Sequence, residues 1–129
     1  MNTKLLMIIS AVVLGITGLM LSFVSEEIST YLAMPASIGI ILQITGALYL
    51  GFAMLNWTAK GNLIGGIYSK PVAIGNFTHF LIGGIALVKL DFNNSGMTNI
   101  WIAAIVYLLF AIAFGYVSFT NPVLKNKSV

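Results

Sequence analysis

Residues Gln43–Leu90 decide the fold of this chain. They read QITGALYLGFAMLNWTAK (Gln43–Lys60), then the loop GNLIGGIYSK (Gly61–Lys70), then PVAIGNFTHFLIGGIALVKL (Pro71–Leu90). Two apolar runs flank a short loop, and each is close to the roughly 20 residues that cross a bilayer. These runs also hold most of the polar side chains found within apolar sequence, including the only histidine, His79. The pattern predicts a hairpin of two membrane-spanning helices.

The composition extends this prediction to the whole chain. Of its 129 residues, 59% are hydrophobic and only 7% are charged, whereas a soluble domain carries about 25% charged residues. We therefore expect one all-α membrane domain over residues 1–129, an antiparallel bundle of four transmembrane helices. Its approximate spans are 4–24, 36–57, 71–90 and 98–119.

The residues between the first two spans predict a short helix in the membrane interface. Ser25–Ala33 is polar on one side and apolar on the other, which is typical of such helices. Ser25 is expected to cap it, with Glu26 and Glu27 in the first turn. In the preceding span, small residues fall on one stripe and predict close helix packing: Ala11, Gly15, Gly18 and Ser22.

Lysines predict the orientation. With four spans, Lys89 lies alone on one side, and the other five lysines lie on the opposite side: Lys4, Lys60, Lys70, Lys125 and Lys127. By the positive-inside rule both termini face the cytoplasm. The net charge of +3 thus reports orientation, and nucleic acid is not an expected partner.

Several chemical classes are disfavoured by what the sequence lacks. It has no cysteine, and the four predicted spans contain no Asp, Glu or Arg. Coupled transporters usually place a titratable carboxylate within the membrane, and no nucleophile–base pair or metal-ligand cluster is visible. We predict no catalytic residue, no metal and no cofactor, and a non-enzymatic role.

The third span carries the leading candidate binding site. Asn76, His79 and Gly83 share a helix face, and His79 lies about 12 Å from the helix start, near the middle of the bilayer. Histidine at that depth faces the bundle interior or a cavity. One interpretation is a polar anchor for a lipophilic ligand, with room left by Gly83; the other is a hydrogen bond that only joins two helices.

The second span adds two residues to this candidate site. Tyr49 is expected at the depth of His79, and Gln43 lies in the outer half on one face with Gly46, Leu50 and Met54. If the faces meet, a polar track runs from Gln43 through Tyr49 and His79 to Asn76. Separate interhelical hydrogen bonds are the alternative.

The cytoplasmic loop is a second, weaker candidate site. Its glycines allow exposed backbone N–H groups, and a lysine stands at each end, which suits a lipid phosphate. The candidate headgroup-binding residues are Lys60, Gly61, Gly65, Gly66 and Lys70. The alternative is an ordinary glycine-rich turn between helices.

The second span and the loop, GALYLGFAMLNWTAKGNLIGGIYSKPVAIGNFTHF (Gly46–Phe80), resemble uncharacterised small bacterial four-helix membrane proteins. The shared features are an N-terminal span, a polar break ending in proline, and a span with Gln43 and Gly46. The resemblance implies a multi-pass protein of the bacterial inner membrane.

These observations favour binding of a lipid or another lipophilic small molecule within the bundle. The alternatives are an accessory or structural subunit of a larger membrane complex and a small oligomeric transporter. Small-residue seams at Ala11–Gly15 and Ala111–Gly115 suggest contacts with a second copy or a larger partner. Small multidrug transporters use a carboxylate in the first helix, where Leu14 and its neighbours supply none.

Overall fold

A computed structural model describes residues 2–35, 37–93 and 98–120, and over these ranges the chain forms five helices and no strand. The helices are α1 (Thr3–Phe23), α2 (Ser25–Tyr31), α3 (Ile38–Ala59), α4 (Lys70–Asn93) and α5 (Thr98–Phe119). All except α2 are long and apolar enough to cross a membrane. The prediction of an all-helical, multi-pass membrane protein is confirmed at this level.

The contacts divide the chain into two compact units, Met1–Gly61 and Asn62–Val129. The first contains α1, α2 and α3, and the second contains α4 and α5. The single four-helix domain over residues 1–129 stays a prediction. Helix bounds differ slightly from those predicted, since α3 begins and ends two residues later and α4 continues to Asn93.

In the first unit, α1 and α3 pack closely through small residues. A Cβ atom added to Gly18 would lie 2.9 Å from the Gly46 carbonyl oxygen, and one added to Gly46 would lie 2.8 Å from the Gly18 carbonyl oxygen. Gly15 faces Ala53 in the same way, at an ordinary contact distance of 3.7 Å. The later residue of α1, Gly18, contacts the earlier residue of α3, Gly46, so the two helices run antiparallel. The predicted small-residue stripe of α1 is confirmed as a packing surface.

The short helix α2 packs against both α1 and α3, and its ends differ from the prediction. The predicted cap by Ser25 is wrong: Val24 holds the cap position without a side-chain hydrogen bond, and the buried Ser25 accepts a hydrogen bond from Gln43 instead. Ser25 is thus already part of the helix.

Backbone hydrogen bonds end α2 at its C-terminus, before Pro35. The helix ends at Tyr31 rather than Ala33. Ala33 adopts a positive φ of 51°, and the Met34 N–H donates to the Ser29 carbonyl while the Ala33 N–H donates to the Thr30 carbonyl. This pair of bonds is the Schellman arrangement, which satisfies the last carbonyl groups of a helix. Pro35 follows this turn and does not cause it.

In the second unit, α4 and α5 form a hairpin with an aromatic interior. Phe80 is fully buried and its ring stacks on Phe110 at 4.7 Å between centroids. Its ring also lies 5.8 Å from that of Phe114, and Phe77 fills the space beside Gly115. Because lipid is as apolar as these rings, close packing rather than exclusion from water holds such a hairpin together.

Candidate functional site

On α4, the helix face predicted to carry Asn76, His79 and Gly83 begins with Asn76, which is fully buried. Its side-chain amide donates to the Val72 carbonyl of the preceding turn, at 2.9 Å. That bond satisfies an amide donor within apolar surroundings, where an unmet donor is costly. The side-chain amide of Asn76 therefore makes one of its hydrogen bonds within its own helix.

His79 lies one turn further along α4 and is half-buried among aromatic rings. Its ring centroid is 5.1 Å from that of Phe80 and 5.8 Å from that of Tyr107, and its Nε2 atom is buried. Edge and tilted arrangements at these distances are typical of favourable aromatic contacts. The imidazole thus belongs to the aromatic interior of the α4–α5 hairpin.

Gly83 does not leave the room beside the imidazole that the sequence suggested. A Cβ atom added at Gly83 would lie 2.7 Å from a carbon of the Tyr107 ring. The ring of Tyr107 therefore occupies this space, and Tyr107 itself is only 9% exposed. Sequence reasoning missed Tyr107, although its spacing with Phe110 and Phe114 marks one aromatic face of α5.

Gln43 and Tyr49 belong to the first unit. Gln43 is exposed, and its Nε2 atom donates to the Ser25 hydroxyl at 3.1 Å, which ties α3 to α2. Tyr49 is half-buried on α3. His79 and Asn76 lie in the other unit, so the polar track from Gln43 to Asn76 stays a prediction.

A buried polar pair that the sequence reasoning did not connect joins α1 to α3. Ser10 and Asn56 are both fully buried, and the Asn56 Nδ2 atom donates to the Ser10 hydroxyl at 3.0 Å. The same hydroxyl donates to the Met7 carbonyl at 3.1 Å. Each interhelical bond of this kind contributes about 0.6–2 kcal/mol in a membrane. No signal within either helix alone shows that these two residues meet.

Beside this pair, an open apolar groove of about 270 Å³ lies on the surface between α1 and α3. Gly15 and Ala53 form part of its floor because neither has a side chain long enough to fill the space. The groove is lined by Ala11, Val12, Gly15, Leu19, Leu50, Ala53, Met54 and Trp57. Met54, which was expected on one face with Gln43 and Gly46, is 62% exposed at its edge.

A lysine stands at the Trp57 end of the groove. The Lys60 ammonium lies 3.0 Å from the centroid of the Trp57 ring, in cation–π contact. Trp57 is 47% exposed. An indole and an ammonium together are typical of the boundary between the hydrocarbon core and the lipid headgroups.

The glycine-rich loop is folded into successive turns. Gly65 is buried and adopts a φ of 96°, which favours glycine. The Gly66 N–H donates to the Leu63 carbonyl, so it is engaged within the loop rather than directed at a ligand. Gly65, Gly66 and Lys70 lie in the second unit and Lys60 and Gly61 in the first, so a joint headgroup site stays a prediction.

The loop instead presents apolar side chains. Ile67 is 83% exposed and Tyr68 is 97% exposed, while Ile64 is buried. Among the described residues, no three His, Cys, Asp or Glu side chains lie close enough together to hold a metal ion. The chemistry of the described sites is therefore apolar contact, hydrogen bonding and lysine charge.

Comparisons with protein-family models, with curated proteins and with solved structures find no match to this chain.

Proposed function

We propose that this chain is a multi-pass protein of the bacterial inner membrane that binds a lipid or similar lipophilic molecule and catalyses no reaction. Its four spans form an antiparallel bundle with both termini in the cytoplasm, and α2 lies in the outer interface. Two helix pairs support the bundle, α1 with α3 and α4 with α5, and the residue contacts within each pair run antiparallel. The exposed Glu26 and Glu27 on α2 support its interfacial position.

The observation that carries the lipid-binding role is the apolar groove between α1 and α3. Ligand pockets are concave, mostly apolar and supplied with a few polar groups at defined places. This groove has apolar walls, a floor of small residues, and an indole with an ammonium at one end. An acyl chain fits these properties, because it needs contact along its length and a polar environment only at its head.

His79 is a second proposed position for the ligand, together with the other predicted residues Asn76, Tyr49, Gln43 and Gly83. The geometry supports it less well than the groove, because Tyr107 fills the space at Gly83. Gln43 and Asn76 also already donate hydrogen bonds inside the protein. A neutral imidazole both donates and accepts, so it suits a ligand carbonyl or hydroxyl.

Filling the groove should displace the lipid. Val12 lines the groove and is 48% exposed, so Val12→Phe adds bulk at the rim without entering the α1–α3 contact. We expect the amount of lipid that copurifies with the protein, measured by native mass spectrometry, to fall at least about five-fold, which corresponds to a loss of about 1 kcal/mol of binding.

Ile16→Phe is the matched control, since Ile16 is on the same helix, is 57% exposed and does not line the groove. It should keep its lipid. Equal lipid retention in Val12→Phe and Ile16→Phe would overturn the groove as the binding site. Loss of lipid in His79→Leu, with retention in Val12→Phe, would move the site to His79.

The orientation predicts where introduced thiols react. The chain has no native cysteine, so Thr30→Cys and Asn62→Cys each provide a single exposed thiol. A membrane-impermeant thiol reagent added to intact cells should label Thr30→Cys and not Asn62→Cys. The opposite labelling pattern would invert the topology. Ser25 and Ser95 lie on the same predicted side of the membrane as Thr30. A thiol at Ser25 would be buried and inaccessible to the reagent, and Ser95 lies outside the described residues.

The alternative proposals are an accessory subunit and a small oligomeric transporter. The small-residue seams that suggested contacts with a second copy are used inside the chain, since Gly15 faces Ala53 and Gly115 faces Phe77. The homo-oligomer stays a proposal. A stoichiometric larger protein in a gentle-detergent purification would favour the accessory role.

A further inference from the structure

We infer that the α1–α3 groove selects a phospholipid with an anionic headgroup from the cytoplasmic leaflet, with Lys60 and Trp57 as the headgroup site. The inference rests on the proposed lipid-binding function and adds the chemical class and the leaflet of the ligand. Three observations within the first unit carry it: the length of the groove, the distribution of charge, and the contact between Lys60 and Trp57.

The groove and Lys60 together span the thickness of one leaflet. On α3 its lining residues run from Leu50 to Trp57, and Lys60 follows one turn later. At 1.5 Å per residue, Leu50 lies about 15 Å from Lys60 along the helix axis. Half of a hydrocarbon core of about 30 Å has the same thickness. An acyl chain that begins at the Lys60 level therefore ends near the bilayer centre, where the groove ends.

Charge within the first unit is separated along the helices. Because α1 and α3 are antiparallel, Lys4 at the start of α1 lies at the same end of the pair as Lys60. The acidic residues of the unit, Glu26 and Glu27, lie on α2 beyond the opposite end of α1, about 30 Å away. No carboxylate of this unit competes with a lipid phosphate at the lysine end.

The contact between Lys60 and Trp57 positions the cation over the mouth of the groove. Trp57 lines the groove, and the ammonium rests on its ring at 3.0 Å from the centroid. A lysine ammonium has three N–H donors, so donors that point away from the ring are available to phosphate oxygens. The half-exposed indole occupies the level of the lipid glycerol region, where tryptophan is enriched. The site thus recognises an acyl chain and a negative headgroup together.

The test uses the full chain in detergent micelles with Trp101→Phe, so that Trp57 is the only tryptophan. Phosphatidylglycerol and phosphatidylcholine with the same brominated acyl chains are titrated, because bromine quenches the fluorescence of a nearby indole. We expect half-maximal quenching of Trp57 at about five-fold lower phosphatidylglycerol than phosphatidylcholine, the preference expected from one lysine at the membrane surface.

Lys60→Gln should abolish the preference and leave quenching by both lipids intact, whereas Lys60→Arg should keep it. Lys70→Gln, which removes the same charge from the same predicted side of the membrane, should also keep it. Equal quenching by the two lipids in the parent protein would overturn the headgroup site. A loss of preference in Lys70→Gln as large as that in Lys60→Gln would do the same. Neither result would contradict lipid binding in the groove. Quenching that Val12→Phe leaves unchanged would instead overturn the lipid groove itself.

Discussion

Replacing Gly46 with alanine is expected to lower the free energy of unfolding by about 2–3 kcal/mol, in the range for overpacking a close contact. The added methyl group would lie 2.7 Å from the Ser22 backbone nitrogen and 2.8 Å from the Gly18 carbonyl oxygen. Both neighbours are backbone atoms, so they cannot move aside as a flexible side chain would. The helices would have to separate, and the packing that holds them in lipid would be lost along their length.

Gly51→Ala is the control for this change. Gly51 is on the same helix, and a methyl group there meets no atom within 4 Å. Alanine has a higher helix propensity than glycine, by about 1 kcal/mol, so this variant should be as stable as the parent or slightly more so. Unfolding by titration with a denaturing detergent in mixed micelles, followed by circular dichroism, measures both. Equal stabilities for the two variants would show that α1 and α3 are not in close backbone contact.

Phe80→Ala is expected to remove about 3 kcal/mol from the free energy of unfolding, the low end of the range for phenylalanine in soluble cores. The low end applies because moving a ring between protein and lipid gains little transfer energy, so the cost is mainly the cavity left behind. Phe80 is fully buried and contacts the rings of Phe110, Phe114 and Tyr107. The same detergent titration measures the loss.

Phe23→Ala is the matched control, because Phe23 is 78% exposed and no cavity forms when its ring is removed. Its stability should stay within about 0.5 kcal/mol of the parent, as expected of a surface substitution. A Phe80→Ala variant as stable as Phe23→Ala would mean that the aromatic interior of α4 and α5 contributes nothing to the hairpin.

The long helices were predictable from sequence because the property that determines them is local. Each apolar run has the length and composition of a membrane span, and backbone groups in lipid can be satisfied only within a helix or a closed barrel. The stripe of Ala11, Gly15 and Gly18 was visible for the same reason, since helical spacing places these residues on one face. The end of α2 was not visible, because it depends on a backbone turn at Ala33, where alanine gives no sign of a positive φ.

The candidate sites were only partly predictable, because they depend on which residues of different helices meet. His79 was predictable as a candidate because it is the single histidine and lies within a predicted span. The sequence did not show that Tyr107 fills the space at Gly83. The groove was missed for a similar reason. Its floor is formed by Gly15 on α1 and Ala53 on α3, and only the register between the two helices makes them neighbours.

The bond between Asn56 and Ser10 has a consequence for how the first hairpin chooses its alignment. Apolar ridges of two helices can often fit together after a shift of one turn, with little change in contact area. Here a shift of one turn would move these two polar groups apart by about 5.4 Å, far beyond hydrogen-bonding distance. Two buried polar groups in lipid therefore penalise every alignment except one, as a single buried asparagine does in a coiled coil. The pair therefore fixes the register of α1 along α3.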